Sequence, residues 1–229
     1  MASEDVKLIG AVMSPFVMRP RVSLNLKGVE YEFLEETFGS KSELLLKSNP
    51  VYKKIPVLIH SGKPICESLI IVQYIDETWS GHSILPSDAY DRAIARFWAH
   101  YIDDKWFPAL ASIARAQTEE AKNEAIEQVF TGLKLLEEAC EKCSGGKPFF
   151  GGETIGYVDI ALGCYLGWLR ATEKLIGITF LDETKTPLLC HWAEKFSSHE
   201  AVASVMPETD KLVEFAKMIQ AKFKAPANK

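Results

Sequence analysis

Hydrophobic positions along this chain change their spacing at recognisable points. From Val6 to Val12 they run almost unbroken, as in an inner parallel strand covered on both faces. Ser14-Pro15 then opens a helix that reaches Leu26 or Lys27 and stops at Gly28, a residue suited to the left-handed exit. Pro20 inside it is expected to kink the helix or shift its start. Val29, Tyr31 and Phe33 alternate with Glu30 and Glu32, which predicts a second strand ending at Glu35. A short helix over Lys41 to Lys47 has to end before Pro50. Pro56 to His60 reads as a strand, Ser61-Gly62 as a two-residue hairpin turn, and Pro64 to Cys66 as the returning strand. Glu67-Ser68 leads into a helix from Leu69 to Trp79.

The predicted order β-α-β-α-β-β-α is a thioredoxin-like α/β domain, assigned to residues 5–80. Residues 81–91 are rich in Gly, Pro, Ser and Asp without periodicity and read as a linker. Residues 92–223 are predicted to form an all-helical second domain. Ile94, Phe97, Trp98, Tyr101 and Ile102 mark one apolar helix face; Ile126, Val129, Leu133, Leu136 and Cys140 mark the next. Gly156 can cap a core helix running from Ile160 to Trp168, with Asp159 taking its free N–H groups, a structural role. Two more helices, near Pro187 to Phe196 and Glu208 to Lys222, complete the domain, and the tail from Lys224 to Lys229 is expected to fray.

Composition narrows the function more than the fold. The 229 residues are 47% hydrophobic and 25% charged, ordinary for a globular protein. A net charge of −5 without a basic block argues against nucleic acid or an anionic membrane as partner. No apolar run approaches the roughly 20 residues that span a bilayer, and the acidic start lacks a signal peptide's apolar core. Five scattered cysteines do not form a disulfide framework and fit a reducing cytosol. Cys140 and Cys143 form a C-x-x-C late in a helix, the wrong place for a redox motif, and no metal-ligand cluster is present.

The candidate chemistry lies at Ser14. A serine at a helix start sits beside free N–H groups at the positive end of the helix dipole, where an anion is favoured; taken alone, most serines at helix starts are only caps.

Six motifs turn this toward a family. Ser-Pro-Phe-x-x-Arg at 14–19, Asn-Pro-x-x-Lys-Lys-Ile-Pro-Val-Leu at 49–58 and Cys-Glu-Ser at 66–68 resemble the cytosolic glutathione transferases, most closely the plant tau class. So do Ala-Arg-Phe-Trp-Ala at 95–99, Lys-Pro-Phe-Phe-Gly-Gly at 147–152 and Gly-Tyr-Val-Asp-Ile-Ala-Leu at 156–162. Val17 departs from the tau pattern, which has Gly there more often, and a larger side chain next to Ser14 is expected to alter access. Gly156 replaces the more common Ser or Thr cap.

The resemblance implies that Ser14 donates a hydrogen bond to the glutathione thiolate and is not itself the nucleophile. It implies a cis Pro56 that presents the backbone of Ile55 to the cysteinyl unit. Ser68 and Glu67 would hold the γ-glutamyl carboxylate and ammonium, and Lys41 and Lys54 the glycyl carboxylate. Arg19 would be structural. The apolar acceptor site would draw on Met13, Phe16, Phe107 and Trp168, with Phe215 and Met218 as a lid. Reduced glutathione enters as co-substrate, with no tightly bound cofactor and no metal. A cytosolic homodimer, meeting through the helices Leu69–Trp79 and Ala93–Phe107, and a role in detoxification and stress response also follow from the resemblance.

Three other functions remain in view. Thiol-transferases and dehydroascorbate reductases of this kind carry Cys at the position of Ser14. A non-catalytic carrier of hormones, flavonoids or tetrapyrroles would use the apolar pocket alone. A translation-factor subunit or channel has no extra domain here to support it. Reduction of organic hydroperoxides would use the same activated thiolate as conjugation.

Overall fold

The computed structural model describes residues 5–224, and the side chains up to residue 221; the expected fraying of the last residues lies outside what it describes. The first half contains β1 (Val6–Gly10), α1 (Pro15–Leu26), β2 (Glu32–Glu35), α2 (Glu43–Ser48), β3 (Val57–His60), β4 (Lys63–Cys66) and α3 (Ser68–Thr78). This is the expected element order. The sheet runs β2-β1-β3-β4, with β1 parallel to β2 and antiparallel to β3, and β3 antiparallel to β4. Leu8 stands opposite both Phe33 and Leu58, so β1 is the inner strand that its unbroken apolar run predicts.

The two faces of the sheet have separate cores. Val6, Leu8, Val17, Leu24, Leu58, Ile71 and Ile75 pack under α1 and α3, while Ile9, Leu45, Val57 and Ile59 pack under α2. Both turn residues between β3 and β4, Ser61 and Gly62, have left-handed φ values of 50° and 75°, the geometry that matches the twist of a two-residue hairpin. Helix α1 continues through Pro20 without interruption. A proline costs a helix one backbone hydrogen bond, and the buried α1–α3 contact tolerates that loss.

The second half is helical. Asp88 caps α4 (Ala89–Tyr101), its carboxylate accepting from the N–H of Tyr90 at 2.8 Å and of Asp91 at 3.1 Å. Helix α4 does not run on directly to Phe107. A five-residue π-helical turn, Ile102–Trp106, intervenes before α5 (Phe107–Ile113). The apolar stripe expected to be core is only partly so. Ile102 is fully buried, Phe97 is 56% exposed, and the small Ala95 and Ala99 provide the tight contact instead. The long α6 (Glu119–Ser144) starts under Thr118 and ends at Gly145, which adopts φ 58°. Its five predicted core positions are all buried. Cys140 lies among them with its thiol pushed up to about 12 by burial, as an inert structural cysteine would be.

The run expected as one core helix is divided into α7 (Tyr157–Gly163) and α8 (Leu166–Ile176). The break falls where Phe196 packs against Gly163 so closely that a Cβ there would lie 2.2 Å from the ring. Helix α9 (Pro187–Ser198), a single-turn α10 (Glu200–Ala203) and α11 (Thr209–Lys224) complete the fold. The short α10 has too few residues to show a periodicity. Met18, Val22 and Val72 from the first half belong to the same core cluster as Trp106, Tyr157 and Ile160, so apolar contact is continuous between the halves.

A candidate active site at the start of the first helix

The end of β1 delivers Ala11, Val12 and Met13 to the surface, and Ser14 closes the turn as the N-cap of α1. Its Oγ accepts from the Val17 N–H at 3.4 Å, a long bond that leaves the hydroxyl proton free to be donated elsewhere. From the helical half, Trp168 Nε1 donates to the Met13 carbonyl at 3.0 Å and anchors the turn. Ser14 opens onto a cleft of about 1590 Å³ between the two halves.

Helices α5, α8 and α11 form the far walls. Phe16 meets Phe107 edge-on at 5.7 Å, and Phe107 stacks on Tyr165 at 4.0 Å. Opposite them, Phe215 lies 6.3 Å from Trp168 and 5.2 Å from Phe38. Of the residues singled out from sequence, Ser14, Met13, Phe16, Ile55, Phe107, Trp168 and Phe215 all line this cleft. Met218 does not. It is 41% exposed, because α11 turns Phe215, Ala216 and Ile219 toward the cleft and the face carrying Met218 toward solvent. Phe38 was missed, since it sits in a loop with no periodicity to mark it. Leu110 and the small Ala111, Ala114 and Ala171 were missed because alanines carry no sequence signal of a cavity.

Val17 is also corrected. It is 1% exposed and faces β1, where Gly10 leaves room for it: a Cβ at Gly10 would lie 2.4 Å from Val17 Cγ1. It is packed into the core and does not line the cleft.

The remaining candidates lie beside the cleft without lining it. The Ile55–Pro56 peptide is cis. Asn49 organises the segment before it, its Nδ2 donating to the Lys54 carbonyl at 2.9 Å and its Oδ1 accepting from the Tyr52 N–H at 3.1 Å. Lys54 is exposed, as is Lys41, which follows a loop fastened by Ser42 N–H donating to Glu36 Oε2 at 3.0 Å. Glu67 takes a left-handed φ of 70° without glycine's freedom, a strained conformation of the sort found at ligand clamps. It turns the chain so that Ser68 opens α3. Ser68 is 8% exposed, and its Oγ accepts from Arg19 Nη1 at 3.1 Å, which leaves its own proton available.

Arg19 is wholly buried. It forks onto Asp103 at 2.8 and 2.5 Å and also donates to the Ala161 carbonyl at 2.9 Å. Burial works against its charge, but Tyr165 and Asp103 outweigh burial and hold it above the ordinary arginine range. Its partners Ser68, Asp103 and Ala161 come from both halves of the chain, which makes it a strut under the site. Asp159 has a comparable role further off. One carboxylate oxygen accepts from the N–H of Phe150 and Trp192 Nε1, the other from Gly151 and Gly156, all at 2.7–2.9 Å. Burial pushes its carboxyl up to about 6, while these four donors pull the other way. Among the described residues no cluster of His, Cys, Asp or Glu could hold a metal, and no helix is long and apolar enough to cross a membrane.

Family models for the glutathione S-transferase N-terminal and C-terminal domains match residues 4–77 and 97–200. Glutathione S-transferase U17 of Arabidopsis thaliana is 66% identical over 221 residues, 96% of this chain and 97% of that protein. Glutathione S-transferase U18 of the same plant is 62% identical, over 98% of this chain and all of that one. The crystal structure of a tau-class glutathione S-transferase from mango superposes with a TM-score of 0.92 at 67% identity, covering 94% of this chain and 98% of the other. A rice glutathione S-transferase solved in complex with glutathione superposes at 0.89 with 34% identity, covering 98% and 100%.

Proposed function

This chain is a glutathione transferase of the tau class, and on that premise we propose that Ser14 activates the thiol of glutathione for attack on hydrophobic electrophiles held in the cleft. The observation that carries the proposal is the position of Ser14: an N-cap hydroxyl with a weak bond of its own, at a helix N-terminus, on the wall of a large apolar cavity.

The magnitudes suffice. A thiol like that of cysteine has a pKa of about 8.5. A hydrogen bond to a charged group contributes about 1.5–3 kcal/mol, and a helix N-terminus about 0.3–1 kcal/mol. At about 1.4 kcal/mol per unit, these bring the bound thiol to roughly 5.6–7.2, so that a large share of it is thiolate at neutral pH.

Ile55 pairs with the cysteinyl unit through its backbone, as an added strand would. Ser68 donates to the γ-glutamyl carboxylate with the proton that Arg19 leaves free, and Glu67 accepts from the ammonium. Lys41 and Lys54, both exposed, meet the glycyl carboxylate as point charges. Met13, Phe16, Phe107, Trp168 and Phe215 receive the electrophile. Glutathione is a co-substrate that comes and goes. The same thiolate supports reduction of organic hydroperoxides, and conjugation of this kind serves detoxification under stress. Ile70, Tyr90 and Phe97, 54%, 72% and 56% exposed on or beside α3 and α4, support a homodimer through those helices. The five free cysteines fit the cytosol.

The test is steady-state conjugation of glutathione to a generic aryl halide by the native chain and by Ser14→Ala, with glutathione binding followed separately. Turnover that collapses in the variant while glutathione still binds supports the thiolate role. If the native chain binds glutathione but turns over no electrophile, and Ser14→Ala changes nothing, the cleft serves a ligand carrier.

A further inference from the structure

The cleft is larger than a small electrophile needs: about 1590 Å³, against about 300–1,000 Å³ for most small-molecule sites. Its size comes from small side chains. Ala111, Ala114, Ala171 and Ala216 stand on three different helices where larger residues would fill it. Its lining runs along α5. It begins at Ser14 and Phe107 and follows α5 to Ile113, about 9 Å of helix at 1.5 Å per residue. It continues to Arg115 and Gln117 in the α5–α6 connection and to Glu119 and Lys122 at the start of α6.

The charges along this path are unequal. At the first-domain end, Glu36 accepts from Ser42, and Glu35 sits at the end of β2 opposite Gly10. At the far end, Lys122 lies 3.8 Å from Glu119, so each partly answers the other. Arg115 has no ion-pair partner among the described residues and is exposed at the mouth, where the turn carrying it is held by its own N–H donating to the Ser112 carbonyl at 3.0 Å. The same cleft thus has the sulfur-activating group and a guanidinium without an ion-pair partner among the described residues in its lining.

We propose that the cleft selects an elongated apolar electrophile that carries an anionic group at the end remote from its reacting carbon, and that Arg115 is the residue that reads that group. The inference rests on the transferase reading of the same cleft and adds the substrate class. A guanidinium suits carboxylate, sulfate or phosphate, since its planar fork can bind two oxygens at once. It also acts at a distance from the chemistry, so its contribution is to binding and not to the thiolate.

The experiment separates the two readings. Inert thioether conjugates of glutathione are made with a chain of about eight methylenes, long enough to cover the ~9 Å of α5, ending in carboxylate or in the neutral amide. A second pair has a two-methylene chain. Dissociation constants are measured by calorimetry, which requires no turnover. The expected result is that the long carboxylate binds about tenfold tighter than the long amide, that the short pair shows no preference, and that Arg115→Gln removes the long-chain preference while Arg115→Lys keeps part of it. Raising the salt should shrink the preference, as for an exposed charge. Equal binding of the long pair, or a preference that survives Arg115→Gln, overturns the proposal. Aryl halide turnover, measured in parallel, decides the transferase mechanism independently: it can hold while the long-chain preference fails, or fail while the preference holds.

Discussion

Arg19 and Asp103 join the two halves of the molecule through a two-pronged ion pair in which Arg19 is fully and Asp103 partly buried, with Nη1 and Nη2 at 2.8 and 2.5 Å from the two carboxylate oxygens. The same guanidinium reaches Ser68, at the opening of α3, and Tyr165 donates to Asp103 at 2.9 Å. Removing one partner leaves a charge buried and unanswered, which costs about 3–5 kcal/mol. Asp103→Ala is therefore expected to unfold at distinctly lower denaturant. Arg19→Lys should not rescue the interaction, because an ammonium cannot replace the fork. Urea titrations of each variant, with glutathione affinity measured on the folded fraction, check both the stability and the effect on Ser68.

The thiolate role of Ser14 has a pH signature. If its hydroxyl contributes about 1.5–3 kcal/mol to the bound thiolate, its loss raises the apparent pKa by roughly 1–2 units. Activity falls as pH drops below that pKa, so in Ser14→Ala the fall should begin at higher pH. Well below both midpoints the loss should be about ten- to a hundredfold, narrowing in alkali. A profile of kcat with the same midpoint in both proteins would contradict the role.

Asp159 answers four N–H groups with two oxygens. Asp159→Ala leaves them without an acceptor in the core, and a cost of about 3–5 kcal/mol is expected, seen as a fall in Tm of about 10 °C or more. Asp159→Asn should recover only part of this, because its NH2 end points a donor at donors. Thermal unfolding followed by circular dichroism distinguishes the three proteins.

Gly10 and Val17 are a matched pair. A methyl group at Gly10 would lie 2.4 Å from Val17 Cγ1 and 3.2 Å from the Phe33 ring. Gly10→Ala is expected to cost about 1–3 kcal/mol by overpacking. Val17→Ala in the same chain should return part of it, since the Phe33 contact remains. A double-mutant cycle in urea measures the coupling, and an additive result would show that the clash is absorbed elsewhere.

Much of this was legible in the sequence for identifiable reasons. The unbroken run at Val6 and the alternation at Val29 to Phe33 report two-sided and one-sided burial, so both strands and the order of elements along the chain could be read. Ser14-Pro15 marks a helix start by cap chemistry alone, and the structure has it there. Other features leave no trace in periodicity. The division after Gly163 falls beside a close approach of Phe196, distant in sequence. Phe38 belongs to the cleft because of what faces it, Phe215, on the last helix. Met218 and Val17 were misplaced because helix phase, not residue type, decides which way a side chain points.

The π-helical turn at Ile102–Trp106 has a consequence for how the molecule can change. Helices α4 and α5 form one continuous rod, but the wider turn resets the angular register between them. Upstream, the register brings Ala95 and Ala99 onto the core. Downstream, it brings Phe107 and Leu110 onto the cleft, and Asp103 within the turn meets Arg19. Deleting one residue there would rotate all that follows by about 100° relative to α4. Residues added or removed after Asp103 in this turn would thus re-aim the acceptor wall as a unit while the Arg19–Asp103 contact keeps its place on the α4 side.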